Sequence, residues 1–185
     1  MQPWKSSEAW NPLLNTAISK QLQSMIFPAP LIAAEDLRTW RQQLPASIRR
    51  VVLTNGCFDL LHAGHVTYLQ EARNLGDFLV VAVNSDASVA ALKGPTRPIN
   101  SAIDRSLVLA HLCAVDAVTI FEGERVTAVI HALRPDVYVK GGDYRPETLD
   151  PGEYAALQEC GTEIQIVSLV AGKSTTNTLK KLQEI

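Results

Sequence analysis

Twelve residues from Thr54 to His65, TNGCFDLLHAGH, bring an Asn-Gly turn, a Cys, an Asp and two His together directly after an apolar run. His62 and His65 stand three apart with Gly64 between them, where the chain passes from a strand into a helix. A helix N-terminus offers unpaired N–H groups and the positive end of a dipole, which suit phosphate. Imidazoles at that place can hydrogen-bond phosphate oxygens and strengthen those bonds as charge develops, while Gly64 leaves the backbone bare for close approach. The same residues leave other readings open: two structural His at a turn, a metal site from Asp59, His62 and His65, or a Cys57 nucleophile. A closed metal site needs a further ligand, and none follows at metal-site spacing. Cys57, among small neighbours, has the setting of a buried thiol rather than an activated one.

Further polar groups recur downstream. Asn84 and Asp86 belong to an NSD that follows the second apolar run, and LKGPTRPIN comes next, with Lys93 and Arg97 in a Gly/Pro-rich loop where exposed charges could close over an anion. Arg105 opens the following helix, where the dipole disfavours a cation and so hints at a ligand. VKGGDY brings Lys140, Gly141, Gly142, Asp143 and Tyr144 to a strand end, its glycines permitting close backbone approach. AGKSTTN sets Ser174, Thr175 and Thr176 beside Lys173 at a helix start; capping explains one hydroxyl, and three fit a second phosphate site. Neither GxxxxGK[ST] nor GxGxxG occurs, which disfavours P-loop phosphotransfer and dinucleotide binding.

These clusters need a scaffold that brings them to one edge. VVLTN, FLVVAVN, AVTIF, VYVK and IQIVSL are short, nearly continuous apolar runs rich in β-branched residues, with helical stretches expected at 65–75, 102–112, 125–133, 153–160 and 175–183. Alternating strands and helices argue for βαβ units, and strands apolar on both faces argue for a parallel sheet covered on both sides. The expected fold is α/β: a doubly wound, Rossmann-like domain with a parallel sheet of about five strands. In such sheets ligands lie beyond the carboxyl ends of the strands, and the polar clusters do follow the apolar runs. Residues 1–46, with their Trp and several Pro, are expected to form a mostly helical N-terminal extension, with helices near 11–25 and 34–43, leaving 47–185 as the α/β domain that carries the polar clusters.

The 185 residues carry a formal charge of -2, so no overall basic field points to nucleic acid or an anionic membrane. Three Cys without CxxC spacing suit a reducing compartment. No apolar run reaches the roughly 18–20 residues of a membrane span, and a cytoplasmic protein is expected.

GCFDLLHAGH, with its HxGH core, and STT at the last helix resemble the nucleotidylyltransferase superfamily that contains the cytidylyltransferases. More closely, NGCFDLLHAGH, VAVNSD, LKGPTRPIN, the Asp104–Arg105 pair, PDVYVKGGDY and STTN resemble the D-glycero-β-D-manno-heptose 1-phosphate adenylyltransferases, in order from about Val51 to Ile185. The resemblance implies transfer of AMP from ATP to the sugar 1-phosphate, giving ADP-heptose for lipopolysaccharide. It implies that His62, His65 and Lys93 contact phosphates during catalysis. Thr54, Asn55, Gly56, Phe58, Gly64, Asn84, Asp86, Arg105 and Ser174 to Thr176 would bind nucleotide, and Arg97 with Lys140 to Tyr144 would bind the sugar phosphate. It further implies Mg²⁺ held mainly by the phosphates, a homodimer, and a separate heptose-7-phosphate kinase, since the length leaves no room for a fused one. Glycerol 3-phosphate cytidylyltransferases resemble RTEGIST where this chain has LVAGKST, with Leu169 at the Arg position. That departure favours the heptose enzyme over a cytidylyltransferase acting on glycerol 3-phosphate or another polyol phosphate.

Overall fold

A computed structural model describes residues 28–142 and 148–168. The five apolar runs are strands: β2 (Val51–Gly56), β3 (Phe78–Asn84), β4 (Ala117–Phe121), β5 (Val137–Gly141) and β6 (Glu163–Val167). A sixth, β1 (Leu31–Ile32), is too short to register as a run and lies within the segment expected to be mostly helical. It is followed by a 3-10 turn (Ala34–Asp36) and helix α1 (Leu37–Gln42). The remaining helices are α2 (Ala63–Arg73), α3 (Asp86–Lys93), α4 (Ala102–Ala110), α5 (Thr127–Leu133) and α6 (Pro151–Cys160). The helices expected near 11–25 and 175–183 lie outside the described residues.

All neighbours in the sheet pair in parallel, in the order β1-β4-β3-β2-β5-β6. Parallel pairing requires covered faces, and the two covers are distinct. On one face Val52, Val81 and Val139 pack with Leu69 and Ala72 of α2 and Leu109 of α4. On the other, Leu53, Val80 and Tyr138 pack with Leu37, Ile130, Leu133 and Leu157 from α1, α5 and α6. Fully burying one such aliphatic side chain contributes about 1.5–3 kcal/mol. The period-two alternation along β2 therefore sends Val52 to one cover and Leu53 to the other.

Local signals stop and start the helices. Ser85 and Ser101 accept from the N–H groups of Ser88 and Asp104 at the starts of α3 and α4, and Asp150 accepts from Gly152 and Glu153 ahead of Pro151 in α6. Helix α3 corrects the sequence reading of the NSD-to-LKGP stretch. Lys93 is the last residue of a helix ended by Gly94 at φ 98°, rather than a residue of the loop.

The turn between α2 and β3 is packed too closely for a side chain. A Cβ on Gly76 would lie 2.5 Å from the Arg50 carbonyl oxygen and 2.6 Å from Val52 Cγ2. Gly76→Ala is therefore expected to destabilise the protein by about 1–3 kcal/mol through overpacking against backbone, read as a lower urea midpoint at unchanged slope.

Candidate functional site

The tip of β2 and the start of α2 form the core of the site. Phe58, between them, adopts φ 48°, a left-handed conformation unusual for a bulky residue, yet it is buried. Such strain costs of order 1–3 kcal/mol and persists only where the surroundings enforce it. Here the ring lies against the bare Cα of Gly56, where an added Cβ would meet it at 3.0 Å, and packs edge-on to His65 at 5.5 Å. Gly64 is buried within the first turn of α2.

His62 is the N-cap residue of α2, and its ring stacks on that of His65 with centroids 3.9 Å apart. His65 Nδ1 accepts the His62 backbone N–H at 3.3 Å. In a neutral ring that fixes the proton on Nε2, so His65 is a donor through Nε2–H. Burial, with a smaller contribution from His62, pulls the His65 pKa down to about 4. His62 Nδ1 is buried against the His65 backbone N–H in a capping-box arrangement and, among the described residues, makes no full hydrogen bond.

The depressed pKa has a consequence for stability. Unfolded His65 binds a proton near pH 6.5 while the folded ring resists until about pH 4. Over that window the unfolded state holds more protons, so stability falls as the pH is lowered. His65→Asn is expected to flatten the decline of urea-unfolding stability between pH 6.5 and 4, while leaving stability above that window less dependent on pH in both proteins.

Asp59 shapes the loop that faces this turn. Its side chain is 1% exposed and accepts from Arg97 at 2.5–2.6 Å and from the backbone N–H groups of Ile99 and Asn100, while Asn100 Nδ2 donates to its carbonyl. Burial works against the charge, but these donors outweigh it and hold the Asp59 carboxyl below its ordinary range. The expectation that Arg97 is exposed is therefore corrected: its guanidinium is engaged by Asp59. Lys93, in contrast, is exposed at the end of α3.

Arg105, on α4, is 2% exposed and engages four groups. It donates to the carbonyls of Asn100, Cys57 and Asn84 and to the Asp86 carboxylate, at 2.6–3.0 Å. It thus ties the ends of β2 and β3 to the 97–101 loop, a role that sequence position alone did not reveal. Asn84 is buried, its amide donating to Ser88. Thr54 is fully buried; its hydroxyl lies 2.5 Å from Tyr68 Oη, and both reach the Val139 carbonyl. Thr54, Asn84 and Arg105 therefore hold the strand tips in place. Burial pushes the Cys57 thiol up, the opposite of an activated nucleophile.

Across the β2–β5 boundary, Lys140 Nζ donates to Asn55 Oδ1 at 2.9 Å, with Glu153 Oε2 3.9 Å away. Gly141 closes β5, and Gly142 follows at φ 106°, a conformation that glycine adopts without steric cost. Asp143, Tyr144, Ser174, Thr175 and Thr176 lie outside the described residues. Glu153 and Tyr138 went unnoticed in the sequence; the only signal was Tyr138 two residues before Lys140, hence on the same strand face.

A doubly wound parallel sheet with a paired-histidine helix N-terminus and cationic groups at its carboxyl edge defines a nucleotidyltransferase domain. The chain belongs to the cytidylyltransferase-like family, whose model matches residues 53–183. It is 40% identical over 195 residues to the "Bifunctional protein HldE" of Trichlorobacter lovleyi, covering 97% of this chain and 39% of that protein. It is 57% identical over 127 residues to the protein of the same name from Chromohalobacter salexigens, covering 69% of this chain and 26% of that one. The chain thus spans 26–39% of the length of these relatives. Among solved structures, a lipopolysaccharide core biosynthesis protein from Thermoplasma volcanium superposes with a TM-score of 0.53 at 29% identity, over 65% of this chain and 96% of that one. A pantoate-beta-alanine ligase from Francisella tularensis, 13% identical with a TM-score of 0.53 over 85% of this chain and 78% of its own, shares the fold. Among the described residues no helix is long and apolar enough to cross a membrane.

Proposed function

We propose that the chain transfers AMP from ATP to D-glycero-β-D-manno-heptose 1-phosphate, releasing pyrophosphate and forming ADP-heptose for lipopolysaccharide synthesis. The observation that carries this reading is the stacked His62–His65 pair at the start of α2. An oxygen of the sugar phosphate attacks the α-phosphorus of ATP. The bond from that phosphorus to the bridging oxygen breaks, and the electron pair leaves with pyrophosphate. A phosphate monoester is largely dianionic at pH 7, its second pKa being about 6, so no general base is required. Catalysis then consists of aligning two anions that repel and stabilising charge on the α-phosphoryl and leaving oxygens. The His65 Nε2–H, His62, the α2 N-terminus and exposed Lys93 are the donors proposed for this.

Among the described residues no three His, Cys, Asp or Glu side chains stand together as a metal cage. The donor set, cationic and N–H-rich, fits Mg²⁺ brought in by the triphosphate, whose oxygens supply most of its ligands and whose charge the ion neutralises. A cytoplasmic homodimer of this catalytic domain, served by a separate heptose-7-phosphate kinase, belongs to the same proposal. The test is pyrophosphate release from ATP and CTP against a panel of sugar and polyol phosphates. The expected result is release with ATP and the heptose 1-phosphate; release only with CTP and glycerol 3-phosphate would replace it with a cytidylyltransferase, and none with any pair would remove it.

A further inference from the structure

The strand order places a reversal between β2 and β5. From β2 the chain proceeds through β3 to β4 on one side, and from β5 to β6 on the other. The loop after β2 leads into α2 on one face of the sheet, and the loop after β5 leads to α6 on the opposite face. A crevice at such a reversal is where doubly wound sheets bind ligands. Asn55 and Lys140 stand on either side of it, at the tips of β2 and β5, joined by the 2.9 Å contact from Nζ to Oδ1.

The protein contacts fix how Asn55 faces. An ammonium only donates, so the Asn55 atom beside Lys140 is the carbonyl oxygen, and Tyr138 Oη donates to the same atom at 2.8 Å. The amide nitrogen is thereby turned away from this pair, with two N–H donors, on a residue that is partly exposed. Glu153, from α6, completes the arrangement. It is 4% exposed, its Oε2 lies 3.9 Å from Lys140 and 3.5 Å from Tyr138 Oη, and its Oε1 accepts the Val126 N–H at 3.2 Å. A buried carboxylate is costly unless paired, so Glu153 and Lys140 hold one another, and together with Tyr138 they set the orientation of Asn55.

The cluster faces away from the histidines. Asn55 shares the strand face of Leu53 and the Tyr138 cover, whereas His62 and His65 begin α2 on the opposite cover with Phe58. In-line displacement needs the attacking and leaving oxygens on opposite sides of the transferred phosphorus. Resting on the adenylyl-transfer reading, we infer that Asn55 and Lys140, oriented by Tyr138 and Glu153, form the acceptor subsite, whose N–H donors bind hydroxyl or phosphate oxygens of a phosphorylated sugar. This moves Asn55 from the nucleotide side, where resemblance put it, to the acceptor side. Tyr138 and Glu153 are positioning residues.

The experiment measures KM separately for ATP and for the sugar 1-phosphate in the full chain carrying Asn55→Ala, Glu153→Gln or Tyr138→Phe. Losing hydrogen bonds that involve a charged group should raise the sugar-phosphate KM about 10- to 100-fold in Asn55→Ala and by a smaller factor in the other two, with the ATP KM changed less than about twofold. An ATP KM that rises as much as the acceptor KM would overturn the inference, as would unchanged values for both. If the wild type turns over no acceptor, the proposed reaction falls, and calorimetry of sugar 1-phosphate and ATP binding decides the subsite on its own. Sugar-phosphate binding lost in Asn55→Ala with ATP binding retained supports it, and binding by the wild type and Asn55→Ala alike, or by neither, refutes it.

Discussion

Replacing either His62 or His65 by alanine is expected to lower turnover at least about 100-fold, the magnitude of losing one preorganised oxyanion donor, and to leave the protein folded. On the proposed reaction the two rings are expected to act as a pair. His65 fixes itself on the His62 backbone N–H, leaves Nε2–H as its donor, and stacks at 3.9 Å on the His62 ring. Alanine at position 65 removes one acceptor from a helix N-cap, a modest structural loss of about 0.5–2 kcal/mol. The catalytic loss is expected to be larger because, in the proposed reaction, charge on the α-phosphoryl oxygens then meets no prearranged donor. Single-turnover kinetics alongside circular dichroism measures both. The double variant should lose less than the product of the two single effects, because residues acting as a unit are not additive; near-normal turnover in a folded double variant would remove the histidines from the mechanism.

Arg105→Met is expected to be the most destabilising single change in the site, by about 3–5 kcal/mol, as for removing one partner of a buried charged network. Methionine fills a similar volume but donates nothing. The carbonyls of Cys57, Asn84 and Asn100 would each lose a donor at 2.6–3.0 Å, and Asp86 its counter-charge. Each unsatisfied buried group carries a desolvation penalty of about 1–3 kcal/mol, eased where water can enter. Urea unfolding gives the number directly. A loss below about 1 kcal/mol would mean that the strand tips are held by something other than this guanidinium.

The sequence was most informative where a short-range rule applied. The five apolar runs became strands because β-branched residues covered on both faces leave few alternatives, and HxGH fell at a helix start because a Gly-bearing turn after a strand favours one. Leu31–Ile32 was invisible because two residues make no pattern; its place depends on the β4 edge it pairs with. Helix α3 was hidden by the punctuation around it, Asn-Ser-Asp before and Gly-Pro after, although Ser85 and Gly94 are ordinary helix boundaries.

At the site, residue types were legible and their partners were not. Lys93 and Arg97 looked alike in sequence, two cations in one stretch, yet one is exposed and the other is bound to Asp59 from 38 residues earlier. Arg105 drew attention as a cation at the wrong end of a helix dipole, and the reason lies in carbonyls supplied by two strand ends and a loop. Glu153 meets Lys140 only because α6 packs on the face of β5 that Tyr138 shares. Such pairings depend on topology, and no local spacing encodes them.

The most direct test of adenylyl transfer at this site follows the α-phosphorus. With ATP labelled at that atom and the heptose 1-phosphate as acceptor, the label is expected in a sugar nucleotide of the mass of ADP-heptose, with unlabelled pyrophosphate in equal amount and neither product from the His62→Ala/His65→Ala protein. Label remaining in ATP, or a phosphorylated sugar appearing with labelled ADP, would contradict the account.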